Sequence, residues 1–225
     1  MAAAATLGPA ALGDALAEAA KKGRPRFPHP KNPAEALAIL KKGNKRYRKG
    51  KLEFRDYSPV GEDIANNQKP FAAIITCADS RLSPPLVFDV ERGNVFVSRI
   101  AGNSVDTGTL GSTEYGIKVL GVKLVMVLGH SDCGAVKSAI SVANGGSYPP
   151  DQYGAIGDVV GTIVPPIKAL PPSGRTLPKC IPLTARTQAA DLASRGPIVK
   201  QAIAAQKIRV VAAVYDINTG AVSIL

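Results

Sequence analysis

Four short, largely apolar runs, Phe71–Thr76, Val95–Ile100, Leu124–Leu128 and Val210–Val214, constrain the fold of this 225-residue chain more than any other feature. Each is too short for an ordinary helix and lacks the alternation of a half-exposed strand, the pattern of a strand buried on both faces. Longer segments with helical spacing lie between them. Leu110, Tyr115, Ile117, Val119 and Leu120 suit a crossover helix, and the stretch after Cys133 suits another. The chain therefore reads as α/β, a central, mostly parallel β-sheet flanked by helices. Val210–Tyr215, the turn Asp216-Ile217-Asn218-Thr219-Gly220 and Ala221–Leu225 read as strand, turn and strand, which adds an antiparallel edge strand at the C-terminal end.

Ahead of the sheet, Asn32, Pro33 and Glu35 supply an N-cap, a first-turn proline and an N3 carboxylate. Leu37, Ile39, Leu40 and Tyr47 follow at interrupted helical spacing, so an N-terminal helical arm is expected near 33–49. Residues 1–30 are rich in Ala, Lys, Gly and Pro and read as a basic extension to a single domain over 31–225. Gly and Pro also dominate 145–182, where a helix around 156–169 should give way to an irregular connection through Pro171, Pro172 and Pro178.

The formal charge of +11 comes partly from lysines and arginines between Lys21 and Lys51. A solvated arm accounts for them, and six Tyr, five Phe and no Trp leave little for base stacking, so no nucleic acid is expected as a partner. No apolar run is long enough for a membrane span. The default compartment is cytoplasmic, although a periplasmic or organellar protein with its leader already removed would read the same way. Three cysteines are too few for a disulfide framework, which leaves reduced thiols or metal ligation.

Two of the apolar runs end in chemistry. The first runs into Cys77-Ala78-Asp79-Ser80-Arg81, and the third into Gly129-His130-Ser131-Asp132-Cys133-Gly134. Strand carboxyl ends are where open α/β sheets bind ligands. Cys77, His130 and Cys133 together form an N/S/S donor set, which favours zinc over magnesium or calcium and leaves a fourth position open. Cys133 is placed to begin the following helix. Asp79 can accept a hydrogen bond at that position while Arg81 holds the carboxylate as a bidentate pair; if released, Asp79 could itself occupy the metal position.

With Ala101-Gly102-Asn103 between them, these motifs resemble the β-class carbonic anhydrases over roughly residues 33–142 and, less distinctly, the final strand pair. The resemblance implies one Zn2+ per chain on Cys77, His130 and Cys133, an Asp79–Arg81 catalytic dyad, and hydration of carbon dioxide to bicarbonate by zinc-bound hydroxide. It implies substrate contacts from Gln68, Phe96, Gly102 and Tyr115, with Gln68 reaching across a dimer interface. A homodimer or tetramer is expected, with the helix near 33–49 embracing its partner. Ile74, where other members carry tryptophan, implies a metal open to water near neutral pH. Ile100 and Pro84-Pro85 depart from the family pattern and bear on the shape of the cleft. Cys180 matches no motif and is assigned to packing. Three rival readings use the same residues: hydrolysis of carbonyl sulfide or carbon disulfide, a structural zinc in a nucleic-acid-binding protein, and a redox switch between Cys77 and Cys133.

Overall fold

A computed structural model describes residues 29–53 and 68–225. The extension read over 1–30 lies outside the described residues apart from its last two.

Five strands form one sheet: β1 (Ala72–Thr76), β2 (Val95–Arg99), β3 (Leu124–His130), β4 (Arg209–Tyr215) and β5 (Val222–Ile224), in the order β2-β1-β3-β4-β5. The first four run parallel, and β5 lies antiparallel on β4, as the apolar runs predict. Every residue of β1 and β3 is buried, which is why neither run alternates. Successive side chains nevertheless divide between the two faces. Ala72, Ile74, Leu124, Met126 and Leu128 enter one core, while Ala73, Ile75, Val125 and Val127 enter the other.

The first core is covered by α1 (Pro33–Arg48) and the single turn α2 (Pro84–Val87), through Ala36, Leu40, Val87 and Phe88. The second lies under α3 (Thr107–Lys118), α8 (Leu177–Arg195) and α9 (Pro197–Ala204), with Leu110, Ala185, Ala189, Leu192 and Val199. A third apolar cluster gathers around the carboxyl ends of β1 and β3. It takes Val136 and Ala139 from α4 (Gly134–Ala143), Val160 from α6 (Ile156–Gly161), Ile167 from α7 (Val164–Lys168), and Cys77 and Cys133. One further short helix, α5 (Pro150–Tyr153), completes the described set.

The expected cap of α1 is present and reciprocal. Glu35 N donates to Asn32 Oδ1 at 2.9 Å, while Asn32 Nδ2 donates to Glu35 Oε1 at 2.9 Å. The apolar face of α1 is spent on its own sheet, so only its remaining surface is left for a second copy. At its far end, buried Asn44 donates to the carbonyls of Val87 (3.2 Å) and Gly220 (2.8 Å) and accepts from Val222 N (3.0 Å).

Two expectations for 145–182 are corrected. The helix read over 156–169 is broken into α6 and α7, because Pro165 and Pro166 have no amide hydrogens with which to continue a helical ladder and instead occupy the first turn of a new helix. The irregular connection ends earlier than expected, since α8 begins at Leu177 and continues past Pro182. Pro178 sits in its first turn, where no intrahelical amide bond is required. Among the described residues, no helix is long and apolar enough to cross a membrane.

The seating of α1 on α2 supplies a test of this packing. A Cβ on Gly43 would lie 1.6 Å from the backbone oxygen of Phe88. Gly→Ala inside a helix ordinarily gains about 1 kcal/mol. The collision with backbone outweighs that gain, so Gly43→Ala should destabilise the fold by about 3 kcal/mol in urea denaturation. A neutral or stabilising result would mean that α1 does not seat on α2 in this way.

Candidate metal centre

Cys77 is the first residue beyond β1, and His130 is the last residue of the neighbouring β3. Their strands pair in parallel with Thr76 opposite Leu128, which brings the two side chains to the same edge of the sheet. Cys133 follows three residues later as the N-cap of α4, as its position in the motif predicts. The candidate ligand atoms of Cys77, His130 and Cys133 all lie within 4.8 Å of one another, and all three residues are buried.

The donors are poised for a cation. His130 Nδ1 lies 2.8 Å from the carbonyl of Ser131, which fixes its hydrogen there and leaves the Nε2 lone pair free. Nε2 is buried and has no hydrogen-bond partner among the described residues. The neighbouring Cys133 side chain holds the Cys77 thiol well below its ordinary range, against the opposing effect of burial. Cys77, together with burial, pushes the Cys133 thiol up. Gly102 N–H adds a 3.4 Å contact to Cys77 Sγ. Two buried sulfurs beside an unpartnered imidazole nitrogen fit a divalent ion of borderline softness, whose binding would displace the thiol protons.

Beside this set stands the carboxylate–guanidinium pair. Arg81 Nε donates to Asp79 Oδ1 at 2.9 Å and Nη2 to Oδ2 at 2.7 Å, and Arg81 N–H donates to Oδ1 at 3.0 Å. These bonds hold the Asp79 carboxyl well below the usual carboxylate range. Asp79 Oδ2 lies 3.9 Å from His130 Nε2, so the carboxylate faces the donor set. Farther out, Asp132 pairs with Lys137 and lies 3.8 Å from Arg81.

Arg99 was not singled out from the sequence. At the end of β2, its Nε donates to the carbonyl of Cys77 at 3.2 Å and its Nη2 to that of Asp79 at 2.5 Å. One guanidinium therefore stitches both ends of the Cys77–Asp79 segment to the neighbouring strand. The available signal was a cation at a strand's carboxyl end just before Ala101-Gly102-Asn103. Gly102 itself is buried with φ 71°, a conformation that favours glycine.

The remaining predicted residues do not gather at this cluster within one chain. Gln68 is exposed and precedes the amino end of β1, whereas Cys77 follows its carboxyl end. Phe96 pairs with Ala73 on edge strand β2, roughly 10 Å along the strand from Arg99 at 3.3 Å per residue. Its ring lies 6.4 Å from that of Tyr115, which is 48% exposed. Cys180 is fully buried in the third apolar cluster and lies outside the three-donor set, in keeping with packing. A cavity of about 380 Å³ lies elsewhere, between α1 and β5, and contains none of these residues.

Comparison with known proteins places this arrangement. A family profile described as "Carbonic anhydrase" matches residues 72–222. Carbonic anhydrase 2 of Mycobacterium tuberculosis is 41% identical over 137 residues, covering 60% of this chain and 65% of that protein. The carbonic anhydrase of Mycolicibacterium smegmatis is 38% identical over the same length and with the same coverage. The chain thus spans 65% of the length of these curated relatives. Among solved structures, the β-carbonic anhydrase of Coccomyxa in complex with acetazolamide superposes with a TM-score of 0.61 at 25% identity, covering 98% of this chain and 87% of that one. A structure from a study of two tetrameric β-carbonic anhydrases of Sordaria macrospora gives 0.62 at 23% identity, covering 85% and 94%.

Because Arg99 fixes the backbone between Cys77 and Asp79, Arg99→Met should weaken retention of a divalent metal about tenfold. Competition with a chromophoric chelator measures this. Unchanged retention would leave Arg99 as a surface cation with no part in the centre.

Proposed function

The chain belongs to the β class of the carbonic anhydrase family, and from that membership we propose that it catalyses the reversible hydration of carbon dioxide to bicarbonate and a proton, with one zinc ion per chain on Cys77, His130 and Cys133. The observation that carries this reading is the coincidence, at adjacent strand ends, of a buried Cys–His–Cys set with a bidentate Asp79–Arg81 pair facing it. When bound, zinc would supply a Lewis acid that makes water nucleophilic near neutral pH. Two thiolates cancel much of the ion's charge, which places more of the task on the surrounding residues.

Asp79 is an acceptor-only group at neutral pH, and Arg81 fixes both of its oxygens while leaving lone pairs for the attacking water. The carboxylate orients that water towards the carbon of the substrate. Its lowered pKa suits orientation better than proton abstraction, because an effective general base has a pKa near the working pH. The proton therefore leaves to solvent or buffer. Arg81 has a second duty, which is to keep Asp79 from turning into the fourth position of the donor set. Gly102, beside Cys77, borders the space for substrate.

Gln68, Phe96 and Tyr115 belong, in this reading, to a cleft completed by a second copy of the chain. Supporting it, Tyr115 on α3 and Val119 at its C-cap leave large apolar side chains exposed, and α3 packs against edge strand β2. A homodimer is the smallest complete unit, and a tetramer accords with the Sordaria macrospora relatives.

Stopped-flow carbon dioxide hydration, with metal content measured on the same sample, is the decisive experiment. Wild type should hydrate carbon dioxide with about one zinc per chain, and Cys77→Ser should lose both. Asp79→Asn should retain zinc while kcat/KM falls about 100-fold or more. Because its folded pKa is depressed, Asp79 is ionised at and above its unfolded value of about 4 and takes a proton only as pH falls towards the lower folded value. It should therefore contribute no limb to the pH–rate profile between about pH 5 and 9. Zinc without hydration, and sulfide release from carbonyl sulfide instead, would overturn the assigned reaction.

A further inference from the structure

The loop between β2 and α3 carries Gly102, whose amide points at Cys77 Sγ across 3.4 Å, and it is fixed from outside itself. Three residues beyond Gly102, Val105 has both backbone polar groups taken by α8. Its N–H donates to Gln188 Oε1 at 2.7 Å, and its carbonyl accepts from Arg195. Gln188 is 5% exposed, and its other end, Nε2, donates to the carbonyl of Thr162 at 3.4 Å. The next residue, fully buried Ile163, packs over Gly102: a Cβ there would lie 3.0 Å from Ile163 Cδ1 and 3.1 Å from Ala135 Cβ. One side chain thus ties together the loop that presents the N–H to sulfur and the turn that presses on that loop.

We propose that Gln188 is a positioning residue for the metal thiolate: by holding Val105 and Thr162, it fixes the Gly102 N–H against Cys77 and so sets how much charge that sulfur lends to the metal. A hydrogen bond to a coordinating thiolate draws electron density from it and leaves the metal more electrophilic. The effect counts most in a donor set with two thiolates. Burying an amide costs free energy unless both of its ends are paired, and a leucine would fill similar space without that requirement. Here both ends are paired, to the two segments that frame Gly102. Arg195, anchored to Asp191 at 2.7 Å, is the outer half of the same clamp.

The inference rests on the zinc reading, and its test separates the two. Gln188→Leu, Gln188→Glu and Arg195→Ala are compared with wild type as full chains loaded with Co2+, and exchange of the Gly102 amide hydrogen is followed by NMR. In Gln188→Leu the thiolate-to-cobalt charge-transfer band should move to longer wavelength, and Gly102 exchange should accelerate. Burial keeps a carboxyl at this position neutral, with one donor and one acceptor where the amide had them. Gln188→Glu should therefore restore the wild-type band and exchange rate. Arg195→Ala changes a partly exposed residue and should shift the band in the same direction by less. If Gln188→Leu does not fold, Arg195→Ala decides the matter. A band and a Gly102 exchange rate unchanged in Arg195→Ala and in folded Gln188→Leu, with only a lower Tm, would overturn the proposal. A wild-type protein that binds neither Zn2+ nor Co2+ would instead overturn the zinc reading, while Gly102 exchange in the same variants would still report whether the clamp exists.

Discussion

The parallel pairing of β1 with β3 is the constraint on which the rest depends. Thr76 stands opposite Leu128, so the chain leaves β1 as Cys77 while its neighbour is two residues from ending in His130. A one-residue slip would exchange the faces of an entire strand, pushing Ile74 and Ile75 into the wrong cores and carrying Cys77 away from the imidazole. The apolar division between the two faces therefore does more than stabilise the sheet. It fixes the reach of two side chains whose chemistry has no other means of meeting. The same pairing makes the strands readable in the sequence, because burial on both faces removes every polar residue from Ala72–Ile75 and Leu124–Leu128.

Around that juncture, backbone carbonyls receive as much attention as side chains. Arg99 engages the carbonyls of Cys77 and Asp79, while Ser131 supplies one to His130 and Val105 one to Arg195. Loops at strand ends have lost their ladder partners, and buried polar groups there need others. Arginine suits this duty because its fork reaches two acceptors at once.

Cys77, Asp79, Arg81, His130 and Cys133 were legible because their chemistry is carried by residue type at fixed spacing on recognisable strands. Arg99 and Gln188 were not, since their roles arise from contacts 20 to 83 residues away along the chain. The long helix α8 was hidden for a different reason. Pro178 and Pro182 signal interruption, and a face built from Ala185 and Ala189 gives a weak apolar pattern even though both are buried. Proline in a first turn costs little, and alanine packs closely against a sheet, so tertiary packing overrode the local signals. For Phe96 and Tyr115 the limit lies elsewhere. A single chain leaves Tyr115 exposed and Phe96 half-buried at an edge strand, where their use depends on what covers that edge.

Asn44 bonds to Gly220 and Val222, separated from it by 176 and 178 residues in the chain. The seat of α1 is therefore completed by residues made long after it. Until then the face bearing Ala36 and Leu40 has no finished surface on which to lie, and closing so long a loop is slow. The nascent chain carries an exposed apolar helix until the closing strand pair is made, an opening for chaperones and for misassembly alike.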